Sequence, residues 1–268
     1  MAPPPAVVLD LDGVVWLGDE PIPGAADAVA RLREAGVDVV FVTNNAHPTV
    51  ADLEAKLADH GIDGVGAVLN SPMAAATLVA TGERVLVLGG PGVVEAVLGR
   101  GAVPVSPAEA DAPGAAPVDV VVVGFHRSFD WERMRVAATA IRGGARFVAT
   151  NDDATYPTAD GPVPGGGAIV AGVATAAGVD PTVAGKPHQA LADLVLARCG
   201  PDGLMVGDRL DTDGGFAVTL GWPFALVLSG VTTSADLPVS PPPDLVAADL
   251  QAVVDDLLGP ASPDGPAA

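Results

Sequence analysis

Short apolar runs alternate along this chain with Ala-rich stretches whose apolar residues recur at helical spacing. The first cycles are the strand AVVLDLD, the helix GAADAVARLREAG, the strand VDVVFVT, the helix TVADLEAKLADHG, the strand GAVLNS and the helical PMAAATLVATG. The strands are nearly continuous apolar runs, as expected where helices cover both faces of a parallel sheet. The pattern therefore predicts an α/β fold with a doubly wound parallel sheet.

The alternation restarts after a break, which indicates a second α/β domain inserted into the first. The new series begins with RVLVLGG and runs through VDVVVVGF, the helix DWERMRVAATAIRGG and RFVATN, with a linker-like SPAEADAPGAAP inside it. A Gly- and Pro-rich loop at 151–167 and the helix AIVAGVATAAG close the series, and strand–helix cycles resume after PTVAGKP. We predict a core of residues 1–80 and 180–268 that is interrupted by a domain at 81–179.

Polar residues follow directly after four of the predicted core strands. They are Asp10 and Asp12, the triplet Thr43, Asn44 and Asn45, then Lys186, and finally Asp208. In open α/β sheets, ligands bind beyond the carboxyl ends of the strands. We therefore expect these side chains to share one site.

Three of these residues are acids, and their chemistry indicates a metal ion. Asp10 and Asp12 stand two positions apart on one strand, so both can face one site, and Asp208 adds a third carboxylate. Carboxylates at close range repel each other unless a cation is present or one of them is protonated. Three acids together favour a cation, and Mg²⁺ is the hard cation we expect. The alternative, in which each aspartate caps the following helix, is reasonable for one residue and weak for all three.

The other strand-end residues suit an anion. Lys186 is one of only two lysines, and an ammonium can bridge a carboxylate and a phosphoryl oxygen. Thr43, Asn44 and Asn45 precede a helix and could bind an anion there or could cap that helix. Asp213 could orient Lys186 or water on the metal.

Composition narrows the class of protein. The chain has 268 residues, a formal net charge of −20 and a single cysteine. The acidic balance argues against nucleic acid and anionic membranes as partners. No apolar run approaches the roughly 20 residues of a membrane-spanning helix, and one cysteine fits a reducing compartment. We expect a soluble cytoplasmic protein.

The motifs DLDGV, TNN, GKP and GDRLDTD, in this order, resemble the four motifs of the haloacid dehalogenase superfamily. The long interval between Thr43 and Lys186 is similar to that of the class IIA branch, the NagD-like phosphatases, which includes phosphoglycolate, glycerol-3-phosphate and pyridoxal phosphate phosphatases. WLGDEPIPGA and the segments ATNDD and PGGGAI strengthen the likeness. The resemblance implies a Rossmann-like core, with 81–179 as an α/β cap of the C2a type.

The resemblance also implies a mechanism through an aspartyl-phosphate. Asp10 would be the nucleophile and Asp12 the general acid and base, while Asp10, the Asp12 backbone carbonyl and Asp208 would bind Mg²⁺. Gly13, Thr43, Asn44, Asn45 and Lys186 would bind the substrate, a small phosphorylated metabolite, and Asp213 would support them. A homodimer formed through the cap is compatible with this branch.

Two residues depart from the family pattern, and several readings stay open. Gly214 stands where an aliphatic residue is common, so with Gly215 it should loosen the start of its helix. His188 follows GKP, and it or the loop 151–167 could contact substrate.

A non-catalytic phospho-ligand-binding protein and a phosphomutase remain alternatives to a phosphatase, while Asp12 argues against a dehalogenase. The sequence leaves the phosphate ester unidentified.

Overall fold

A computed structural model of the protein describes residues 3–156, 161 and 163–260. These residues form two compact units, the first within Met1–Val42, Glu54–Val68 and Val195–Ala268, and the second within Thr43–Leu53 and Leu69–Leu194. The strands are β1 (Ala6–Asp10), β2 (Trp16–Leu17), β3 (Glu20–Pro21), β4 (Asp38–Thr43), β5 (Val68–Asn70), β6 (Arg84–Leu88), β7 (Val103–Val105), β8 (Val120–Val123), β9 (Arg146–Ala149), β10 (Thr155–Tyr156), β11 (Val163–Pro164), β12 (Thr182–Val183), β13 (Leu204–Gly207), β14 (Phe224–Val227) and β15 (Leu245–Ala247). The helices are α1 (Ala25–Glu34), α2 (Val50–Asp59), α3 (Ser71–Thr77), α4 (Pro91–Gly99), α5 (Pro107–Ala110), α6 (Trp131–Arg142), α7 (Gly166–Ala177), α8 (Gln189–Cys199), α9 (Gly215–Leu220) and α10 (Leu250–Leu258).

The first sheet has six strands in the order β15-β14-β13-β1-β4-β5. Strand β1 lies inside the sheet and pairs in parallel with β13 on one side and β4 on the other. All residues of β1, β13 and β14 are buried, which explains their unbroken apolar runs. Because β1 and its neighbours are parallel, their carboxyl ends lie at one edge of the sheet.

The second sheet has five parallel strands in the order β12-β9-β8-β6-β7. Helices α6 and α7 pack on it around Leu86, Val121, Phe147 and Val173, which are almost fully buried. The predicted fold class, an α/β fold whose core is a parallel sheet, is confirmed, and a second parallel sheet flanked by helices accompanies it. Strand β12 belongs to the second sheet although it follows residue 179. The domain boundaries 1–80, 81–179 and 180–268 stay predictions.

Two segments differ from the sequence expectation. The predicted linker 106–117 contains the short helix α5, which begins with a capping box between Ser106 and Glu109. The segment Leu210–Gly214 is a π-helical turn that leads directly into α9. Gly214 and Gly215 therefore sit inside continuous helical backbone, and the expected loosening takes the form of a wider turn.

None of the helices in the described ranges is both long enough and apolar enough to cross a membrane.

Candidate active site

Three buried carboxylates meet at the carboxyl edge of the first sheet. Asp10 ends β1, Asp208 follows β13 directly, and Asp213 lies in the π-helical turn. The pairing of Leu9 with Val206 in adjacent parallel strands brings the ends of β1 and β13 together. One carboxylate oxygen from each of the three acids lies within 4.8 Å of the others. The structure thus groups two predicted metal ligands with the acid that was predicted to support them.

Backbone groups and glycines fix the position of Asp208. Its Oδ2 accepts the N–H of Val231 at 2.5 Å, and the residue is 2% exposed. A Cβ atom on Gly13 would lie 2.4 Å from this oxygen, and one on Gly230 would lie 2.0 Å from it. Only residues without a side chain leave room for the carboxylate at these two positions. Gly13, a predicted substrate residue, therefore leaves the space that the Asp208 carboxylate occupies in the acid cluster.

Asp213 fixes the loop that carries Asp208. It is fully buried, and its Oδ2 accepts the backbone N–H groups of Asp208 and Arg209, each at 3.1 Å. Gly207 leaves space for it, because a Cβ there would lie 2.3 Å from the Asp213 carboxylate. A buried carboxylate that receives two N–H groups holds the turn after β13 in one conformation.

The acid cluster fits a hard divalent cation. All three donor groups are carboxylates, the ligand type that Mg²⁺ and Ca²⁺ prefer. Their charges are taken out of water, where mutual repulsion is screened least. A bound cation of charge +2 would offset most of that repulsion, so the donor set and its burial agree with the predicted metal.

Asp12 lies two residues beyond Asp10 and is half-buried. Its Oδ1 accepts the indole N–H of Trp16 at 3.0 Å. The sharp turn between them depends on Gly13, whose φ of 87° lies in the left-handed region. The Trp16 contact was not predicted, since an indole among apolar residues usually indicates only core packing.

The predicted anion-binding residues lie in the second unit, around the Asn44 side chain. Asn44 Oδ1 accepts the backbone N–H of Lys186 at 2.8 Å, and its Nδ2 donates to the Lys186 carbonyl at 3.0 Å. The same Nδ2 donates to Asp153 Oδ2 at 2.8 Å, and Asn151 Nδ2 donates to that oxygen at 3.1 Å. The structure thus brings together Asn44 and Lys186 with Asn151 and Asp153, two residues of the loop 151–167 whose contact with Asn44 was not predicted.

Thr43 and Asn45 differ in their surroundings. Thr43 ends β4, whose residue Val42 pairs with Asp10, and its hydroxyl accepts the Asn45 N–H at 3.0 Å. Thr43 is 2% exposed, whereas Asn45 is exposed and its Oδ1 accepts the His47 N–H at 3.2 Å. The Thr43 hydroxyl therefore keeps its own proton as a donor for an anion.

Glycines also mark the Lys186 segment. A Cβ on Gly185 would lie 2.5 Å from Asn44 Oδ1 and 2.6 Å from the Thr150 carbonyl. On Gly166 it would lie 2.3 Å from Asn151 Oδ1. The glycine run PGGG was the available signal for Asn151 and Asp153, because glycines mark places where other groups approach the backbone closely.

The remaining candidate residues lie elsewhere or are partly described. His188 Nε2 is 3.3 Å from Asp152 Oδ2 at the surface. In the loop 151–167, β10 and β11 form a short antiparallel pair, and residues 157–160 and 162 lie outside the described part of the chain.

Burial and the nearby Asp38 raise the pKa of the Cys199 thiol to about 11, so it is protonated at neutral pH and unsuited to nucleophilic attack.

Comparison with known proteins identifies the sequence family. Residues 7–102 match the haloacid dehalogenase-like hydrolases, and residues 183–253 match the HAD-hydrolase-like group. A D-glycerol 3-phosphate phosphatase from Mycobacterium tuberculosis is 38% identical over 259 residues, covering 93% of this chain and 71% of that protein. An acid sugar phosphatase from Staphylococcus saprophyticus is 34% identical over 262 residues, covering 94% and 97%.

The solved structures agree with the sequence comparison. The glycerol phosphate phosphatase of M. tuberculosis, determined with calcium, superposes with a TM-score of 0.83 at 37% identity and covers 93% of this chain and 74% of that one. The same enzyme was also determined with magnesium, at a TM-score of 0.83. A p-nitrophenyl phosphatase from Archaeoglobus fulgidus gives a TM-score of 0.86 at 30% identity, covering 95% and 100%.

Proposed function

Because the chain belongs to the haloacid dehalogenase-like hydrolases, we propose that it is a phosphatase that hydrolyses phosphate monoesters of small metabolites with Mg²⁺ as its cofactor. The observation that carries this proposal is the cluster of Asp10, Asp208 and Asp213, three buried carboxylates within 4.8 Å of one another. Such a cluster raises the free energy of the folded protein unless a cation compensates it, so it is retained for a function.

The first chemical step forms a covalent intermediate. An oxygen of Asp10 attacks phosphorus, the bond between phosphorus and the ester oxygen breaks, and Asp12 gives a proton to the departing alkoxide. In the second step Asp12 takes a proton from a water molecule, which attacks phosphorus and releases inorganic phosphate from Asp10. Splitting the hydrolysis in this way replaces one difficult displacement by two easier ones.

Positive charge must offset the negative potential of the protein. With a net charge of −20, the chain as a whole repels a phosphate ester. We assign Lys186 and the Thr43 hydroxyl to the oxygens of the phosphoryl group. Asp10, Asp208 and the Asp12 carbonyl would hold Mg²⁺, which when bound neutralises charge that develops on those oxygens. The Asn44 side chain holds the backbone of Lys186, so we assign Asn44 a positioning role rather than direct contact with phosphate.

The activities of the relatives support a substrate class for this chain. The relatives include a glycerol 3-phosphate phosphatase and an acid sugar phosphatase, so we propose a small polyol phosphate or sugar phosphate as the substrate of this chain. A homodimer and a cytoplasmic location stay predictions.

The proposal is tested by metal-dependent phosphate release from a panel of phosphorylated polyols, sugars and 4-nitrophenyl phosphate. We expect turnover with Mg²⁺, none after EDTA treatment, and loss of at least about 10³-fold in Asp10→Asn, because an amide is a poor nucleophile. Asp211→Asn is the matched control: Asp211 is exposed and pairs with Arg209 at 2.8 Å, and we expect near wild-type rates.

Three outcomes would contradict the assignment. Turnover that survives Asp10→Asn would exclude the aspartyl nucleophile. Tight binding of phosphate esters without turnover would indicate a phospho-ligand-binding protein. Transfer of the phosphoryl group to a second sugar in preference to water would indicate a phosphomutase.

A further inference from the structure

Trp16 is a buried residue with a polar contact in the active-site region of the first unit. The residue is 2% exposed, and its indole N–H donates to Asp12 Oδ1 at 3.0 Å. An indole N–H can only donate, and a buried one needs an acceptor. Here that acceptor is the carboxylate assigned to proton transfer.

The indole is itself fixed from two directions. Trp16 begins the hairpin of β2 and β3, and its backbone carbonyl accepts the Gly13 N–H at 2.6 Å. On its face, the ammonium of Lys56 lies 4.5 Å from the ring centroid, and the same ammonium donates to the Gly18 carbonyl of the hairpin turn at 2.6 Å. Lys56 thus ties helix α2 to both the ring and the turn.

We propose that Trp16 is a positioning residue for catalysis: its N–H holds the Asp12 carboxyl group in the orientation for proton transfer, and Lys56 holds the ring in place. This inference rests on the proposed phosphatase function. A carboxyl group without such a bond rotates about its terminal torsion, which is broad and poorly defined. Fixing it contributes to the roughly 10²–10⁴-fold that a positioned acid or base supplies.

A first experiment tests the hydrogen bond itself in the metal-free protein. In ¹H–¹⁵N NMR spectra, Asp12→Ala should shift the indole N–H resonance of Trp16. The indole N–H of Trp222, which donates to the Pro201 carbonyl at 2.7 Å, should stay in place. A Trp16 resonance that does not respond to Asp12→Ala would overturn the proposal without any reference to activity.

A second experiment uses the leaving group. 4-Nitrophenolate departs as a stable anion, whereas an alkoxide requires a proton as its bond to phosphorus breaks. If Trp16 acts through Asp12, Trp16→Phe should lower kcat/KM for the best alkyl phosphate about tenfold more than for 4-nitrophenyl phosphate. A general loss of structure would lower both equally, because it does not depend on leaving-group chemistry.

Trp222→Phe is the matched control, since it also removes a buried indole N–H bond, and it lies before β14 at the amino edge of the sheet. We expect Trp222→Phe to change kcat/KM for the alkyl phosphate and for 4-nitrophenyl phosphate by the same factor. If Trp16→Phe does not fold, benzothienylalanine at position 16 keeps the bicyclic shape and replaces the N–H by sulfur.

The outcomes separate this proposal from the function on which it rests. Equal losses on both substrates for the position-16 variant, or no loss, would reject the positioning role while leaving the phosphatase intact. A wild-type protein that releases no phosphate from any ester would reject the function itself. In the Asp12→Ala background, Trp16→Phe should have almost no further effect on 4-nitrophenyl phosphate, because the two residues act as one unit.

Discussion

Asp153 accepts hydrogen bonds from two amide side chains, Asn44 and Asn151, and Asn44 in turn holds the backbone of Lys186. Lys186 is 2% exposed, and its ammonium is proposed to bind a phosphoryl group. The orientation of such a side chain depends on its backbone, and the backbone depends on Asn44. If Lys186 binds the phosphoryl group as proposed, Asp153 influences phosphate binding through Asn44 and Lys186.

Removal of the Asp153 carboxylate should impair turnover. In Asp153→Ala, two amide donors lose a charged acceptor, and each such bond contributes about 1.5–3 kcal/mol. We expect kcat/KM, measured as phosphate release, to fall by about tenfold or more, and we expect the melting temperature to fall as well, because both bonds also stabilise the folded protein. Asp152→Ala is the control, since Asp152 is exposed and faces His188 at 3.3 Å. Equal losses in both variants would contradict the role of Asp153.

At the scale of residues, sequence could identify acids that follow strands and could not identify their partners. Asp10, Asp12, Asp208 and Lys186 follow apolar runs, a position that by itself indicates a site in a parallel sheet. Asp153 and Trp16 gain their importance from contacts with residues that the sequence does not pair with them. The roles assigned to the individual site residues stay predictions until the variants are measured.

The turn between β1 and β2 determines whether the acid cluster can form. Gly13 has a φ of 87°, and a Cβ there would lie 2.4 Å from Asp208 Oδ2 and 3.0 Å from the Gly230 backbone. Gly18, in the turn between β2 and β3, has a φ of 63°, and a Cβ at that position would have no atom within 4 Å. The two glycines share a backbone requirement and differ in the space around them.

This difference gives a matched pair of variants. Gly13→Ala should reduce turnover by more than about 10²-fold and weaken metal-dependent stabilisation, because the methyl group displaces the Asp208 carboxylate. Gly18→Ala incurs only the left-handed backbone strain, about 1–2 kcal/mol, and should keep its turnover. Phosphate release and thermal unfolding measure the two effects. Similar activity losses in both variants would show that backbone strain, not contact with Asp208, is responsible.

At the scale of elements, the strands were predicted well because burial on both faces produces a plain apolar run. The short helix α5 and the π-helical turn were not predicted, because each depends on hydrogen bonds between a few neighbouring residues. Helix α5 depends on a capping box inside a Pro- and Ala-rich segment that reads as a linker. The π-helical turn at Leu210–Gly214 depends on the carboxylate of Asp213, which accepts the backbone N–H groups of Asp208 and Arg209. Neither the capping box nor the buried carboxylate produces a periodic pattern of apolar residues, which is the signal used to predict elements from sequence.

At the scale of the whole molecule, the order of motifs and the length of the intervals between them predicted a two-part α/β architecture. The exact division is harder to predict, because strands on both sides of residue 179 have the same composition. Strand β12, at Thr182–Val183, joins the second sheet although it was assigned to the core. Which sheet β12 joins depends on which sheet edge is open to it. The residues of β12 and its sequence neighbours do not show this.

If a cation binds the buried acid cluster as proposed, its binding should affect the stability of the folded protein as well as catalysis. Asp10, Asp208 and Asp213 repel one another in the folded protein, while in the unfolded chain water separates and screens them. A cation that binds only the folded state therefore raises the free energy of unfolding, by about 2.7 kcal/mol at a concentration near 100 times Kd.

Metal titration followed by thermal unfolding measures this coupling without any substrate. We expect Mg²⁺ to raise the Tm of the wild type by several degrees, since about 1 kcal/mol corresponds to ~2–4 °C in a chain of this size. Asp208→Asn should unfold at a higher temperature than the metal-free wild type, because it removes one repelling charge while its amide oxygen can still accept the Val231 N–H. The same variant should lose the Mg²⁺ response, whereas Asp211→Asn should keep it. A full Mg²⁺ response in Asp208→Asn would place the cation outside the acid cluster, and the metal-assisted chemistry built on Asp10 would then need another site.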